Sequence, residues 1–209
     1  MDRKEKAFAE LNGVIRNCTR CRLYRTRTNV ICGEGNLSAS LMLIAQAPGK
    51  MEDGEGKMFI GPSGKVLNEL LDTAGISRDE IYMTNLIKCR LPKDRRPKGD
   101  EIMACGYFLE KEIALIAPEV IATLGYYSTR YVLQKYSIPL PKSRAEFSSV
   151  YGELFEAQQQ KLYPVPHPAA LLYNRSYMPA VQEMYRQLRV LLESREPCTH
   201  PASLPSHLA

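Results

Sequence analysis

The sequence predicts an α/β fold with three layers, α/β/α, around a central and mostly parallel four-stranded sheet. Two observations support this prediction. Short continuous apolar runs alternate with longer stretches in which apolar residues recur at helical spacing, and glycine or proline follows several of the runs directly. With 209 residues, 44% of them apolar and 24% charged, the chain is long enough to bury one sizeable core.

In the first half of the chain, residues 3–16 are predicted to form a helix with one apolar face. The run LMLIA at 41–45 is typical of a buried parallel strand, because both of its faces are apolar. Ser63 can cap a helix that continues to Ala74 and stops at a glycine. A second strand is predicted over 81–87, before a basic loop.

The second half of the chain repeats this alternation. Helices are predicted over about 100–116 and over 126–136, on either side of a third strand at 120–124. The segment around 162–165 is predicted to be a shorter fourth strand, and a last helix runs over about 179–194. In parallel sheets ligands bind at the carboxyl ends of the strands, so the loops that follow the strands are the expected place for a site.

Residues 1–195 are expected to form a single domain, and the Pro- and Ser-rich remainder, 196–209, a disordered tail. No apolar stretch approaches the ~18 residues that a membrane span requires, and the N-terminal residues lack the apolar core of a signal peptide. We therefore expect a cytoplasmic protein without a membrane partner, acting as a monomer.

Positive charge is unevenly distributed over the chain, although its net charge is only +5. One basic cluster lies within 11–30 and contains no acid, and a second lies within 88–98, where Asp94 is the only acid. Two such clusters on a nearly balanced chain indicate a polyanionic partner such as nucleic acid. A solvated basic surface would have the same composition.

A glycine-rich loop follows the first predicted strand, within residues 43–64, and resembles the places where proteins hold nucleotide phosphates. The P-loop pattern fails because a valine follows the Gly-Lys pair, and the dinucleotide pattern fails because Phe59 occupies the place of its last glycine. What remains is an aromatic side chain, Phe59, and two adjacent carboxylates, Glu52 and Asp53. The loop therefore indicates a ligand other than a nucleotide phosphate.

Several segments taken together resemble a known family. In chain order they include CTRC, AQAPGKMED, MFIGPSG, TNLIKCRLPKDRRP, ACGYFL and HPAALL. In this order, and covering roughly residues 14–190, they resemble the iron–sulfur (type 4) uracil-DNA glycosylases of the uracil-DNA glycosylase superfamily. The resemblance implies a DNA base-excision repair enzyme that flips uracil out of single- or double-stranded DNA and hydrolyses its N-glycosidic bond, leaving an abasic site.

The six cysteines of a cytosolic chain point to metal binding or catalysis more than to disulfides, and Cys18 and Cys21 form a C-x-x-C. The resemblance adds Cys89 and Cys105 and implies that all four hold a 4Fe-4S cluster. Taken by themselves, four thiolates suit zinc as well as a cluster, and a C-x-x-C can also be a redox pair. The wide spacing of Cys89 and Cys105 favours a cluster, whose expected role is structural.

The resemblance also assigns three side chains to the flipped base. Phe59 would stack on the uracil ring, an interaction that does not discriminate among bases. Asn85 would accept from uracil N3–H and donate to O4, a pattern that cytosine reverses. His167 would stabilise the charge that develops on uracil O2 as the bond breaks. Without the resemblance, Phe59 would be interpreted as a core residue, Asn85 as a turn residue and His167 as structural.

One loop departs from the family, whose usual sequence there is G-E-A-P-G with a glutamate implicated in uracil binding and catalysis. Here Ala45 and Gln46 replace its first two residues, and Ala47 occupies the place where other uracil-DNA glycosylases carry a water-activating aspartate. We expect Gln46 to bind uracil or to position water as a neutral group, because a departing uracil anion needs only partial water activation. The nearest carboxylates in sequence are Glu52 and Asp53.

Contacts to the rest of the DNA are also implied. Leu171 would insert into the gap that the flipped nucleotide leaves, and Leu172 and Tyr173 are alternatives for the same role. Two segments would bind phosphates: the Arg-rich N-terminal arm, which includes residues 11–30, and the basic loop, residues 88–98. The loop residues predicted to do so are Lys88, Arg90, Arg95 and Arg96.

Other functions stay open at this point. A non-catalytic iron–sulfur protein that binds nucleic acid would account for the missing acid of the loop, although it would not need a pocket shaped for uracil. A glycosylase with a shifted substrate, hypoxanthine or xanthine, would account for the missing acid as well. A zinc-stabilised nucleotide hydrolase of the same α/β class is a more distant alternative.

Overall fold

Six strands form one sheet in the order β1-β3-β2-β4-β6-β5, with helices on both faces. The computed structural model describes residues 2–144, 146–157 and 159–194. The strands are β1 Glu34–Gly35, β2 Leu41–Ala45, β3 Ile81–Asn85, β4 Val120–Leu124, β5 Phe155–Ala157 and β6 Gln160–Val165. The α-helices are α1 Arg3–Arg16, α2 Lys50–Glu55, α3 Pro62–Thr73, α4 Gly99–Ile116, α5 Tyr126–Lys135, α6 Ala170–Tyr173 and α7 Met178–Glu193.

The predicted α/β class and mostly parallel sheet are confirmed, because the four central strands, β3, β2, β4 and β6, are parallel to one another. The predicted count of four strands is wrong. At the two edges β1 pairs antiparallel with β3, and β5 pairs antiparallel with β6. These edge strands have two and three residues and no continuous apolar run, so the apolar pattern could not indicate them.

The central strands are buried on both faces, as their continuous apolar runs predict. In β2 all five residues are buried, and successive side chains point to opposite faces. Leu43 belongs to a core cluster with Leu67 of α3 and Leu188 of α7. Ile44 belongs to a second core cluster, on the other face, with Leu109 of α4. The sheet is therefore the middle of three layers.

The N-terminal arm begins with α1, which lies on the α4 side of the sheet. Asp2 caps α1 by accepting from the backbone N–H of Glu5 at 2.8 Å, and the Glu5 side chain returns the bond. Phe8 packs against Tyr82 of β3, with 5.6 Å between the ring centroids. This packing places the segment that follows α1 beside the start of α4, where the cysteines of both segments lie.

Three further predictions concern the domain boundary, the C-terminal tail and the absence of a membrane span. The single domain over 1–195 stays a prediction, and the predicted tail at 196–209 falls beyond the described residues. None of the helices in the described part of the chain combines the length and the apolar character needed to cross a bilayer.

Candidate active site

A cleft opens at the edge of the sheet where the four central strands end. It is lined by all five of the residues predicted to bind the base: Gln46, Ala47, Phe59, Asn85 and His167. They come from the loop after β2, the loop before α3, the end of β3 and the loop after β6. The carboxyl ends of parallel strands meet at one edge, which is why side chains so distant in sequence converge here.

Phe59 is held in a left-handed backbone conformation at the cleft wall. Its φ is +50°, a value that costs a residue other than glycine on the order of 1–3 kcal/mol. Arg78 stabilises this conformation by donating from Nη2 to the Phe59 carbonyl oxygen at 3.2 Å. A Cβ at Gly64 would lie 1.8 Å from the same oxygen, so only glycine lets α3 begin this close to the loop. The two neighbours therefore fix the backbone from which the Phe59 ring projects.

Asn85 is the last residue of β3, and its side chain is buried at the floor of the cleft. Its register partner across the sheet is Ala45. The side-chain amide donates from Nδ2 to the Met58 thioether sulfur at 3.1 Å. This bond uses one of the two N–H donors of the amide and leaves Oδ1 and the second N–H for a ligand. The amide therefore has the fixed plane that reading a base edge requires.

His167 is half-buried after β6, and its ring has a defined tautomer. Its Nδ1 accepts the backbone N–H of Ala169 at 3.1 Å, so the neutral ring carries its proton on Nε2. Burial lowers the pKa of His167 to about 4, although the neighbouring Glu52 carboxylate acts in the opposite direction. At neutral pH the imidazole is therefore uncharged and can act as a hydrogen-bond donor through Nε2–H.

The helix α2 brings a carboxylate to the cleft, although neither Gln46 nor Ala47 supplies one. Glu52 is buried and lines the cleft, where its Oε1 accepts from the backbone N–H of Gly61 at 2.9 Å. Asp53 points elsewhere: it accepts from the backbone N–H of Thr28 at 3.0 Å and so holds the N-terminal arm. Of the two carboxylates noted in the sequence, only Glu52 belongs to the cleft.

Four thiols surround a separate cavity between the N-terminal arm and α4; they are Cys18, Cys21, Cys89 and Cys105. Arg27 donates from Nη1 to the sulfur of Cys89 at 3.3 Å, and the backbone N–H of Lys88 donates to that of Cys105 at 3.5 Å. Within the described ranges no three His, Cys, Asp or Glu side chains are grouped closely enough to hold one metal ion. The sulfur atoms border a cavity rather than converge on a point.

The same thiols are partly shielded from water. Burial raises the pKa of Cys21 and of Cys89, and it raises the pKa of Cys105 to about 12. Such thiols become thiolates only when a positively charged group replaces their protons. The backbone N–H of Arg20 donates to the sulfur of Cys18 at 3.5 Å, so N–H groups are directed at three of the four sulfur atoms. This set of donors fits a metal–sulfur group, because N–H···S bonds stabilise anionic sulfur.

Lys88 of the basic loop, residues 88–98, was predicted to contact DNA, but it does not lie on the surface. Its side chain is only 1% exposed and forms an ion pair with Glu112 of α4, whose side chain is fully buried. A side chain in this position cannot reach a DNA phosphate, so the prediction of a DNA contact is wrong for Lys88. The charge pattern counted this lysine as part of a surface cluster because composition carries no information on burial.

The three arginines of the basic loop have different surroundings. Arg95 donates from Nη1 to the buried carboxylate of Glu101 at 2.9 Å, at the start of α4. Arg90 lies 3.4 Å from the exposed carboxylate of Asp94. Arg96 is exposed, and within the described part of the chain it forms no ion pair. Their contacts with DNA stay predictions, and Arg96 has the freest side chain of the three.

The predicted wedge residue, Leu171, is not available for that role. It is 1% exposed and packs in the core beside Val181 of α7. Because α6 is a single turn, the residues after Leu171 lie on its outer side: Leu172 is 46% exposed and Tyr173 is 93% exposed. Tyr173 also lines the cleft, so the exposed apolar residue at the cleft mouth is Tyr173 and the prediction for Leu171 is wrong.

Sequence reasoning missed two charged residues of the cleft, Asp94 and Arg144. Asp94 follows Lys93, and both have left-handed φ values near +50°, a conformation that is uncommon for residues other than glycine. Arg144 comes from the segment between α5 and β5 and stacks on Tyr126, with 4.7 Å from its guanidinium carbon to the ring centroid. The positions of both side chains depend on the backbone path of their loops, which the sequence pattern did not predict.

Known proteins resemble this chain over most of its length. The family model described as the uracil DNA glycosylase superfamily matches residues 32–189. A type-4 uracil-DNA glycosylase of Saccharolobus solfataricus is 39% identical over 187 residues, which are 87% of this chain and 84% of that protein. A type-4 uracil-DNA glycosylase of Thermotoga maritima is 36% identical over 173 residues, which are 83% and 87% of the two chains. The protein described here therefore belongs to the uracil DNA glycosylase superfamily and, within it, to the type-4 uracil-DNA glycosylases.

Proposed function

We propose that the protein is a monofunctional uracil-DNA glycosylase that flips uracil out of DNA and hydrolyses the N-glycosidic bond, leaving an abasic site. The observation that carries this proposal is the convergence of Phe59, Asn85 and His167 in one cleft at the carboxyl edge of the sheet. Together they supply an aromatic face, a fixed amide and a neutral N–H donor. A protein that only bound nucleic acid would need none of these in one pocket.

The reaction follows from the chemistry of the three side chains. Phe59 stacks on the flipped base, and Asn85 accepts from uracil N3–H and donates to O4. As the bond between N1 and C1′ breaks, the electron pair moves to uracil, and Nε2–H of His167 donates to O2, where negative charge accumulates. A water molecule then adds its oxygen to C1′ and gives up a proton, and the uracil anion takes up one proton through solvent, which completes the hydrolysis. Gln46 binds uracil or positions this water.

The sugar–phosphate chain should stay intact, since in the described part of the cleft wall there is no lysine that could form a Schiff base with the sugar. The protein should therefore release the base and stop at the abasic site.

We propose that Cys18, Cys21, Cys89 and Cys105 hold a 4Fe-4S cluster. The proposal is supported by the four thiols around one cavity and by the N–H groups directed at their sulfur atoms. When bound, such a group would cross-link the N-terminal arm to the segment after β3, and it would take no part in the chemistry on the base.

We further propose that DNA crosses the mouth of the cleft. Arg96 and Arg144 are exposed cations there or beside it, and Tyr173 can insert into the space that the flipped nucleotide leaves. Arg90 and Arg95 add positive charge near the same phosphates while keeping their carboxylate partners. The protein would act on DNA as a monomer.

The proposed activity is tested with purified protein and oligonucleotides, single- and double-stranded, that contain uracil, hypoxanthine or xanthine. We expect brown protein with about four iron atoms per chain, release of uracil, and strand breaks only after alkali. Brown protein that releases no base would instead indicate a binding module. Release of hypoxanthine or xanthine without uracil would indicate a shifted substrate. Colourless, zinc-loaded protein would contradict the cluster.

Gly64→Ala is expected to lower the single-turnover rate of uracil release by about 10²-fold, because a Cβ 1.8 Å from the Phe59 carbonyl oxygen must displace the backbone that carries the stacking ring. Gly54→Ala is the matched control, since a Cβ there has no neighbour within 4 Å, and it should keep the rate. A Gly64→Ala protein with normal activity would show that the Phe59 backbone position is not needed for base release.

Arg96→Ala is expected to weaken DNA binding at low salt and to reduce the slope of log Kd against log salt concentration by about one, without changing the melting temperature. Arg95→Ala should instead lower the melting temperature by roughly 2–4 °C, because it removes a partner of the buried Glu101 carboxylate. Fluorescence anisotropy and thermal unfolding measure the two effects. An unchanged salt slope in Arg96→Ala would remove Arg96 from the DNA interface.

A further inference from the structure

Lys88 occupies an unusual place for a lysine, because its side chain is 1% exposed beneath the end of β3. Its ammonium group donates to three acceptors: a carboxylate oxygen of Glu112, the hydroxyl of Thr84 and the backbone carbonyl oxygen of Asn85, the last at 2.8 Å. The three N–H donors of the ammonium are thus all used.

Glu112 is equally well satisfied. In addition to Lys88, its carboxylate accepts from the hydroxyl of Thr84 at 2.9 Å, from the hydroxyl of Tyr82 at 3.4 Å and from the backbone N–H of Gly33 at 3.3 Å. The carboxylate therefore joins α4 to β3 and to the segment before β1. A fully bonded buried network of this kind has one arrangement and resists small displacements.

Stability alone is a weak reason for this ion pair. Removing two charges from water is costly, and replacing such a pair by neutral groups often leaves the stability unchanged or raises it. The charged pair has a different effect: it directs the ammonium of Lys88, a strong hydrogen-bond donor, at the carbonyl oxygen of Asn85. That carbonyl ends a strand, and its residue also carries the amide that lies at the floor of the cleft.

We infer that Lys88, held by Glu112, is a positioning residue for Asn85 and thereby for recognition of uracil. By fixing the backbone carbonyl of Asn85, Lys88 sets the plane of the peptide from which the base-reading side chain projects. Met58 fixes the other end of this side chain through the Nδ2 bond. The inference rests on the proposed function, since it assigns Lys88 to the same base-reading site.

Lys88 also lies between the two sites of the protein. Its backbone N–H donates to the sulfur of Cys105, and Cys89 is the next residue. The segment from Asn85 to Cys89 therefore carries a base-reading side chain at one end and a cysteine of the four-thiol cavity at the other.

The test is the double variant Lys88→Met/Glu112→Gln, in which no charge is left unpaired and the glutamine retains an acceptor for Gly33 and Tyr82. We expect the melting temperature and iron content to stay near those of the unmodified protein, and the affinity for abasic-site DNA to stay the same. The saturating single-turnover rate of uracil release should fall roughly 10–100-fold. A misplaced Asn85 affects only the complex in which the base is still attached, because abasic-site DNA has no base for its side chain to contact.

Tyr82→Phe is the matched control, since it removes one hydrogen bond to Glu112 and leaves Lys88 on the Asn85 carbonyl. It should keep the rate even if the melting temperature falls. A folded double variant with the rate of the unmodified protein would overturn the inference. If the double variant does not fold, Lys88→Gln/Glu112→Gln replaces it, since it also leaves no charge unpaired and puts a weaker, uncharged donor in place of the ammonium that bonds the Asn85 carbonyl. A smaller rate loss is then expected, and an unchanged rate would again overturn the inference.

A second measurement separates this inference from the proposed function. The side-chain amide resonances of Asn85 report its order by NMR relaxation in the absence of any substrate. If the unmodified protein releases no base, the proposed function fails, and the NMR data decide on Lys88. Greater mobility of the Asn85 amide in the variant supports the positioning role, and unchanged order overturns it.

Discussion

His167→Ala is expected to lower the single-turnover rate of uracil release by about 10²–10³-fold, the usual cost of removing one donor to a developing oxyanion. The affinity for abasic-site DNA should not change, because that product carries no O2 atom for the ring to contact. Single-turnover rates and equilibrium binding measure the two quantities separately. A rate within tenfold of the unmodified protein would show that O2 is stabilised by another group.

The pH dependence tests how His167 acts. Because burial lowers its pKa to about 4, the ring is neutral over the physiological range and donates from Nε2 without a full charge. The rate should therefore show no change near pH 6.5 that depends on His167. An acid limb close to pH 6.5 that disappears in His167→Ala would instead indicate that the imidazolium form is the active one.

The same shift has a consequence for stability. A histidine whose pKa is lower in the folded state than in the unfolded state binds its proton more readily after unfolding. The contribution of the neutral His167 ring is therefore complete above about pH 6.5 and is lost as the pH falls towards 4. In His167→Ala the melting temperature should fall less steeply over this interval.

The central strands could be predicted from sequence because each is a continuous apolar run bounded by turn residues, as in 41–45 and 120–124. The edge strands could not be predicted in this way, since strands of two or three residues are too short to show a repeating apolar pattern. The five residues predicted to bind the base were assigned by the resemblance to the family, and the sheet explains only why residues so distant in sequence line one cleft. A parallel sheet brings the carboxyl ends of its strands to one edge, so residues directly after them are close in space.

Positions that depend on side-chain direction were less predictable. Leu171 and Tyr173 are two residues apart in one short turn, and only the packing of that turn against α3 and the core decides which of them faces the cleft. Lys88 belongs by composition to a basic cluster, yet its partner Glu112 lies 24 residues away on α4. The glycine-rich segment after β2 was expected to be an irregular loop, but part of it forms the helix α2. This helix directs Glu52 towards the cleft, which the sequence pattern did not indicate.

Asn85→Asp is expected to lower the rate of uracil release by about 10²–10⁴-fold, although the two side chains have nearly the same shape. The carboxylate keeps an acceptor for uracil N3–H but has no donor for O4, so two acceptor oxygens face each other in a closed site. Asn68→Asp is the matched control, because Asn68 is an exposed residue of α3 far from this chemistry, and it should keep the rate.

The same variant tests whether the amide is the group that distinguishes uracil from cytosine. Cytosine presents an N4–H donor where uracil presents O4, and a bare N3 acceptor where uracil presents N3–H. The side chain of Asn85→Asp can accept from N4–H with one oxygen and, in its protonated form, donate to N3 with the other, a pattern that the original amide does not match. Cytosine release from a C-containing oligonucleotide should therefore rise above the background of the unmodified protein as uracil release falls. If uracil release falls and cytosine release does not rise, Asn85 contributes to the rate and another group excludes cytosine. If neither changes, the base edge is read elsewhere in the cleft, because a buried residue at its floor would then make no contact with the atoms that differ.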